Sequence, residues 1–277
     1  MVRHFQRLSA LVLVLLLFSG AACAQTQPLN ILLIGVDTAH AETNGRSDAM
    51  ILVRADPSAG SIRMVSFLRD LYVSIPGVGS TRLNAAYHHG GEALLRQTLS
   101  NHFDVSIDRT VTVHFSLLTE LVDRLGGVEI ELTERERGAL NAMIKDAGSS
   151  ETVQSAGRQT LNGRQALCYS RIRKIDSDFQ RTTRQQTLIA AILARMNSLS
   201  QWELLKLALA YLPRVDTDLT LMDIRTLLPL AVHLDEVTLH SAQVPFPGTY
   251  SEETINGMMV LKPDLKRCRT LLQDFWN

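Results

Sequence analysis

Cysteine is scarce in this 277-residue sequence: Cys23, Cys168 and Cys268 are the only three, and none of the paired spacings that hold zinc is present. Cys23 falls in a leader-like segment, so one disulfide at most is available, and Cys168 and Cys268 read as packing residues. Net charge is also lacking. Lys and Arg total 28 against 28 Asp and Glu, which excludes the uniformly basic surface of a non-specific DNA-binding protein, and no helix-turn-helix pattern occurs. Neither a G-x-S-x-G elbow nor a G-x-x-x-x-G-K loop is found, which disfavours serine-nucleophile and nucleotide chemistry. His88-His89 is no metal pair, because adjacent residues point to different faces of a helix. No repeat, low-complexity tract or hydrophilic linker marks a second domain.

What the chain does have begins with Met1 to Ala24, where Arg3 and Arg7 precede the apolar run Leu8 to Phe18 and then small residues. That is a secretory pattern. Ala22-Cys23-Ala24 fits a signal-peptidase site, Gly20-Ala21-Ala22-Cys23 is a poor lipoprotein box, and the 17 residues from Leu8 to Ala24 reach the short limit of a spanning helix. Residues 1–24 are therefore expected to be a signal peptide or an N-terminal membrane anchor, and residues 25–277 a single extracytoplasmic domain. Loss of the leader leaves 26 basic residues against 28 acidic ones.

Along the rest, Asn30 to Val36 is a continuous apolar run that suits a strand covered on both faces, with Asp37 at its carboxyl end. A loop with Asn44-Gly45 leads to a strand at 49–53, so Arg46 and Asp48 lie at its entrance. Further strands are expected at 62–67, 71–75, 110–115, 128–132, 236–244 and 256–262. Helices are expected at 91–103 (opened by Gly90-Gly91), 116–125, 161–171, 179–196, 202–212, 221–233 and 264–276. Residues 133–160, polar around Gly148-Ser149-Ser150, read as an irregular surface excursion. Strands alternating with helices mean an α/β protein. The helix at 202–212 has almost no polar face, so it requires cover on every side or an isoprene chain on one of them. The helices at 91–103, 116–125 and 186–196 also carry surplus apolar surface.

The most informative stretch is Tyr169 to Gln185, which sets Arg171, Arg173, Arg181, Arg184 and Gln185 around Asp176 and Asp178, with Lys174 the one lysine. Guanidinium forks bind paired phosphate oxygens and keep their charge at any physiological pH. The bland alternative is an exposed helix of weak ion pairs. Three other pieces join it: Gly35-Val-Asp37 with Arg46-Ser-Asp48; Phe67-Leu-Arg69-Asp70; and Thr81-Arg-Leu-Asn-Ala-Ala-Tyr87 with Gly90-Gly91. With Leu125-Gly-Gly-Val128 and Leu161-Asn-Gly-Arg-Gln-Ala-Leu167 between them, these closely resemble the LytR-CpsA-Psr family of cell-envelope proteins, from about Asn30 to Arg195.

The resemblance implies an α-β-α sandwich with a central mixed sheet on the outer face of a bacterial cytoplasmic membrane. It also implies transfer of a glycopolymer from a polyprenyl diphosphate carrier to a peptidoglycan hydroxyl, with magnesium or manganese as cofactor and no nucleic-acid partner. By matching positions, Asp37 and Asp48 are the metal carboxylates, and Arg69, Asp48 and Asp37 the catalytic residues. Arg46, Arg69, Arg82, Arg171, Arg173, Arg181 and Gln185 contact phosphate, with Asp178 orienting the arginines. Three features depart from the pattern: Leu68 stands where proline often precedes Arg-Asp, Arg82 where lysine is common, and the N-terminus is short. The chemistry agrees independently, since phosphoryl transfer between alcohols needs charge neutralisation and alignment more than covalent help. Asp37 or Asp48 is then the base for the attacking hydroxyl. Competing readings are a polyprenyl diphosphate pyrophosphatase and a non-catalytic polyprenyl-phosphate-binding protein.

Overall fold

The computed structural model describes residues 27–37, 45, 47–173, 175–232 and 236–277. The leader at 1–24 and Arg46 lie outside them. Six strands form the central sheet, in the order β10-β3-β2-β1-β6-β9: β1 Leu29–Val36, β2 Ser47–Asp56, β3 Ser61–Phe67, β6 Arg109–His114, β9 Asp216–Thr217 and β10 Thr238–Val244. β1 runs antiparallel to β2 and parallel to β6, while β3 runs antiparallel to β2 and parallel to β10. The sheet is mixed, as expected.

Alternation along the strands divides the core in two. Leu32, Ile34, Val36, Met50, Leu52, Val65 and Phe67 are buried in one cluster with α1 (Asn84–Phe103) and α8 (Leu265–Trp276), including Leu95, Leu99, Cys268 and Leu272. On the opposite face Ile51, Ala55, Ile62 and Met64 meet Leu230 of α7 (Leu221–Val232) and Ile189 of α5 (Asp178–Asn197). Helices thus cover both faces. A separate cluster joins α2 (Phe115–Arg124), α3 (Glu134–Asp146), α4 (Gly163–Ser170) and α5 to the hairpin β7 (Val128–Leu132) with β8 (Gly157–Leu161).

Four expectations need correction. The stretch 133–160 is not one irregular excursion: Thr133 and Glu136 form a reciprocal capping box that starts α3, and Gly157–Leu161 pairs with β7. Gly90-Gly91 does not open its helix but interrupts one that starts at Asn84, with Gly91 at φ 60°. The final sheet elements include a strand absent from the sequence reading, β11 (Tyr250–Ile255), turned into β12 (Met258–Pro263) by Asn256-Gly257, both at positive φ. A similar hairpin, β4 (Tyr72–Ile75) with β5 (Gly79–Arg82), follows β3. Finally, α6 (Gln201–Tyr211) exists but has no fully buried residue, and Trp202 and Leu209 are 62% and 52% exposed. It packs partially, through Leu207, and is not enclosed.

Candidate active site

β1 and β2 pair without interruption from Leu29 to Gly35, and then the register slips: Gly35 faces Ala49, whereas Val36 faces Ser47. Asp48 is the extra residue. Such a bulge re-aims a side chain, and here it delivers Asp48 to a cavity that Gly35 and Ala49 also line. Asp37 follows the last residue of the neighbouring strand. The two carboxylates therefore sit at adjoining strand ends.

Arg69 comes from the turn after β3, a segment pinned at every step. The Leu68 amide donates to the Val244 carbonyl, while the Arg69 and Asp70 carbonyls accept from the amides of Asn84 and Leu261. Leu68, at the position where proline is common, is completely buried. From this fixed backbone Arg69 Nη1 donates to Asp48 Oδ1 at 2.8 Å.

The helical spacing of Asp178, Arg181 and Gln185 puts all three on one face of α5, whose N-terminus Ser177 caps. Arg181 is only 4% exposed, and its Nη2 meets Asp178 Oδ2 at 3.0 Å. Burial pushes the Asp178 carboxyl above its ordinary value despite the opposing pull of Arg181 and Arg69, and burial likewise lowers the Arg181 guanidinium. The pair is incompletely compensated. Arg181 Nε is buried with no hydrogen-bond partner, a donor available to an incoming anion. Arg171, at the end of α4, places Nη2 2.8 Å from Asp37 Oδ2 and lies 5.1 Å above the Phe115 ring.

Arg171, Arg173, Arg181 and Gln185 line the same cavity of about 300 Å3, together with Asp48. Its remaining wall is apolar, drawn from Leu33, Ile51 and Val113 of the sheet, Phe115 and Leu118 of α2, Met143 of α3, and Leu188, Ile189 and Ile192 of α5. That cavity explains why Leu33 is only partly buried, contrary to the expectation of a strand covered on both faces. Of the helices credited with surplus apolar surface, α2 and α5 contribute to the wall and α1 and α6 do not.

The structure does not bring every candidate to this mouth. Arg82 Nε and Nη2 donate to the Met259 carbonyl at 3.1 and 2.6 Å, and its Nε lies 3.3 Å from Asp70 Oδ1, so Arg82 touches the cluster only through Asp70. Arg184, one of the arginines in the Tyr169–Gln185 stretch, faces the other way. It donates to Glu136 and the Ile172 carbonyl and is paired with Asp176. Burial alone raises the Glu136 carboxyl, but the Thr133 amide, Arg184 and the Thr133 hydroxyl outweigh it and hold Glu136 below its ordinary value. Arg184 is thus a structural tie. Sequence reasoning missed the apolar residues Met143 and Phe115, and Asp70, which links Arg69 to Arg82; only the adjacency of Arg69 and Asp70 hinted at the last.

Among the described residues no helix is long and apolar enough to cross a membrane, and no group of three or more His, Cys, Asp or Glu side chains is placed to hold a metal ion.

Known proteins share this arrangement of chain and fold. The chain is 33% identical over 207 residues to the polyisoprenyl-teichoic acid–peptidoglycan teichoic acid transferase TagU of Enterococcus faecalis, covering 72% of this chain and 64% of that protein. It is 34% identical over 177 residues to TagT of Bacillus subtilis, covering 62% and 53%. The matches span between about half and two thirds of the length of these relatives. A solved structure of TagT bound to LIIa-WTA superimposes with a TM-score of 0.74 at 28% identity, covering 91% of each chain. TagT with bound octaprenyl pyrophosphate lipid superimposes at 0.70 with 26% identity, covering 91% of each chain. The LytR_cpsA_psr family model matches residues 14–274, and the chain belongs to that family.

Proposed function

We propose that this chain is a phosphotransferase that moves a polyprenyl-diphosphate-linked glycopolymer to a peptidoglycan hydroxyl, releasing polyprenyl phosphate, at the outer face of a bacterial cytoplasmic membrane. One observation carries the reading: a single cavity has an apolar wall at one end and Arg171, Arg173 and Arg181 at the other. A lipid diphosphate is apolar and doubly anionic in the same order. The transferase names of the relatives and the octaprenyl pyrophosphate in a TagT structure support it.

Within this reading the guanidinium forks of Arg69, Arg171, Arg173 and Arg181 bind and align the diphosphate oxygens, and Gln185 adds an uncharged contact. The apolar wall seats the isoprenes next to the diphosphate and excludes water from it. Asp48 or Asp37 takes the proton of the attacking hydroxyl. Asp37 and Asp48 also suit magnesium: they are hard oxygen donors at adjoining strand ends, and two carboxylates leave positions for phosphate oxygens and water. Bound there, the ion supplies charge neutralisation of the diphosphate.

The test is to incubate the full chain with a radiolabelled lipid-diphosphate glycan, peptidoglycan and magnesium. Label entering peptidoglycan, with one polyprenyl phosphate released per transfer, is expected. Release of polyprenyl phosphate at the same rate without peptidoglycan assigns the chain as a pyrophosphatase instead. Failure to bind the lipid diphosphate at all removes both enzyme readings.

A further inference from the structure

A second cavity, of about 410 Å3, is lined in part by Asp178. Asp70, Asp178 and Phe179 form one wall, and the β11–β12 hairpin supplies the other through Glu252, Thr254 and Met259. The hairpin is fixed there by the Leu261 amide, which donates to the Asp70 carbonyl at 2.9 Å. Asp178 connects the two sites: it lines this cavity, while its Oδ2 is held by Arg181, which lines the other.

The two cavities differ in polarity. The first is lined by three arginines and one carboxylate, the second by four carboxylates and no lysine or arginine. Asp70, Asp178 and Glu253 are paired with Arg82, Arg181 and Lys262, so the second offers acceptor oxygens to a ligand and no cationic donor in its lining. A polyhydroxylated ring suits it, because carboxylate oxygens accept from hydroxyls and an apolar ring face receives sugar C–H groups. Phe179 offers such a face, backed by Tyr250 with ring centroids 5.3 Å apart.

Where Arg69 meets Asp178, polar atoms at ion-pair distance from opposite charges but without a hydrogen bond point to a hydroxyl. Arg69 Nε and Asp178 Oδ1 are both buried with no hydrogen-bond partner. They lie 3.9 Å apart, too far to bond to each other. A hydroxyl there accepts from the first and donates to the second.

We infer that the second cavity binds the acceptor saccharide and presents its hydroxyl at Asp178 Oδ1; this rests on the transferase reading above. In the transfer step, the hydroxyl oxygen bonds to the sugar-side phosphorus and the bond from that phosphorus to the bridging oxygen breaks. Polyprenyl phosphate leaves with the electron pair, and the hydroxyl proton passes to Asp48 or Asp37, of which Asp48 is joined to the same Arg69 guanidinium through Nη1. In-line displacement sets the entering hydroxyl and the leaving oxygen on opposite sides of the phosphorus, so donor and acceptor need separate approaches to it.

The experiment uses the full chain, a synthetic polyprenyl diphosphate glycan as donor, and a soluble peptidoglycan oligosaccharide as acceptor. Thr254→Trp fills the second cavity, and Glu252→Lys reverses a charge in it; both positions are exposed, so neither change strains the core. The expected result is an acceptor KM raised at least tenfold in each, with the Kd for the donor, measured by direct binding, within twofold of the wild type. An unchanged acceptor KM in both variants, with transfer intact, overturns the inference and leaves the transferase reading standing. So does a parallel loss of donor affinity. A wild-type chain that does not bind the donor overturns the transferase reading and this inference with it.

Discussion

Gly163, the first residue of α4, tests the packing that aims Arg171. A methyl group built on Gly163 lies 2.0 Å from the Thr119 carbonyl oxygen, 2.6 Å from its carbon and 2.7 Å from the Thr119 Cα, whereas ordinary contacts begin near 3.4 Å. All three atoms are backbone of α2, so no side chain can rotate away. Gly163→Ala must push α4 off α2 by on the order of 1 Å, weakening the 2.7 Å bond from the Gly163 amide to Asp123 Oδ1. Overpacking of this kind costs about 1–3 kcal/mol. For a domain this size that is roughly 2–4 °C of Tm per kcal/mol, so about 2–12 °C in all. Because α4 leads directly into Arg171, and through it to Asp37, the same displacement lowers the transfer rate, by up to about 100-fold for a 1 Å misplacement. Gly138→Ala is the control. It lies exposed in α3 with nothing within 4 Å of the added carbon, and better helix propensity stabilises the chain by about 0.5–1 kcal/mol. Differential scanning fluorimetry and initial rates decide the matter. A Gly163→Ala protein with Tm within 1 °C and rate within twofold of the parent refutes the described contact between α2 and α4.

Four further outcomes are expected. Arg181→Met strands Asp178 in a buried site, which costs about 3–5 kcal/mol for a broken buried pair; it also weakens lipid-diphosphate binding by about 10- to 150-fold, the worth of one charge-assisted contact. Urea melts and lipid titrations read both. Arg82→Met destabilises by about 1 kcal/mol through the freed Met259 carbonyl, yet leaves the donor Kd within twofold; a tenfold change returns Arg82 to the phosphate site. Glu136 has a folded-state pKa below its ordinary 4.5, so its contribution is present above that value and is lost as pH falls through the lowered one. Glu136→Gln should therefore flatten the stability-against-pH curve below about pH 5, read from urea midpoints. Magnesium and the lipid diphosphate should tighten each other's binding by one common factor, because linkage is reciprocal; titration of each in the presence and absence of the other checks it, and independent affinities refute the shared site.

The parts of the site legible in the sequence were those set by local geometry. Asp37 and Asp48 fell at strand ends because the apolar runs around them are short and bounded, and Asp178, Arg181 and Gln185 share a face because helical spacing requires it. Periodicity does not say what a face meets. Arg184 lies three residues from Arg181, yet it meets Glu136, 48 residues away, and no local pattern announces that pairing. Arg82 is equally opaque, since its partner carbonyl at Met259 is 177 residues distant. The one-residue bulge that aims Asp48 has no compositional signature. By contrast, the box from Thr133 to Glu136 and the turn Asn256-Gly257 carry local signatures, Thr-x-x-Glu and Asn-Gly, that a sequence displays by itself. The helix at 201–211 misled through composition alone: leucines on all sides suggested enclosure, but burial depends on what the rest of the chain supplies.

The pairing pattern bears on how such a mouth stays folded before its ligand arrives. Clustered guanidinium groups repel one another, and burying them without partners is costly. Here three are held by separate aspartates, Arg69 by Asp48, Arg171 by Asp37 and Arg181 by Asp178, and Arg173 shares Asp178 at 3.8 Å. In the proposed function a diphosphate would offer the arginines oxygens of the same charge and similar geometry, replacing the aspartates without new desolvation of the cations. The exchange leaves Asp37 and Asp48 short of positive charge at the moment the diphosphate brings more negative charge beside them. In the proposed function a divalent cation at those carboxylates would restore the balance, so that the same two side chains would serve as counter-ions in the empty site and as cation ligands in the filled one. Asp178 needs no such cation, because a diphosphate that takes Arg181 leaves its other oxygen facing Arg69 at 3.9 Å and Arg173 at 3.8 Å.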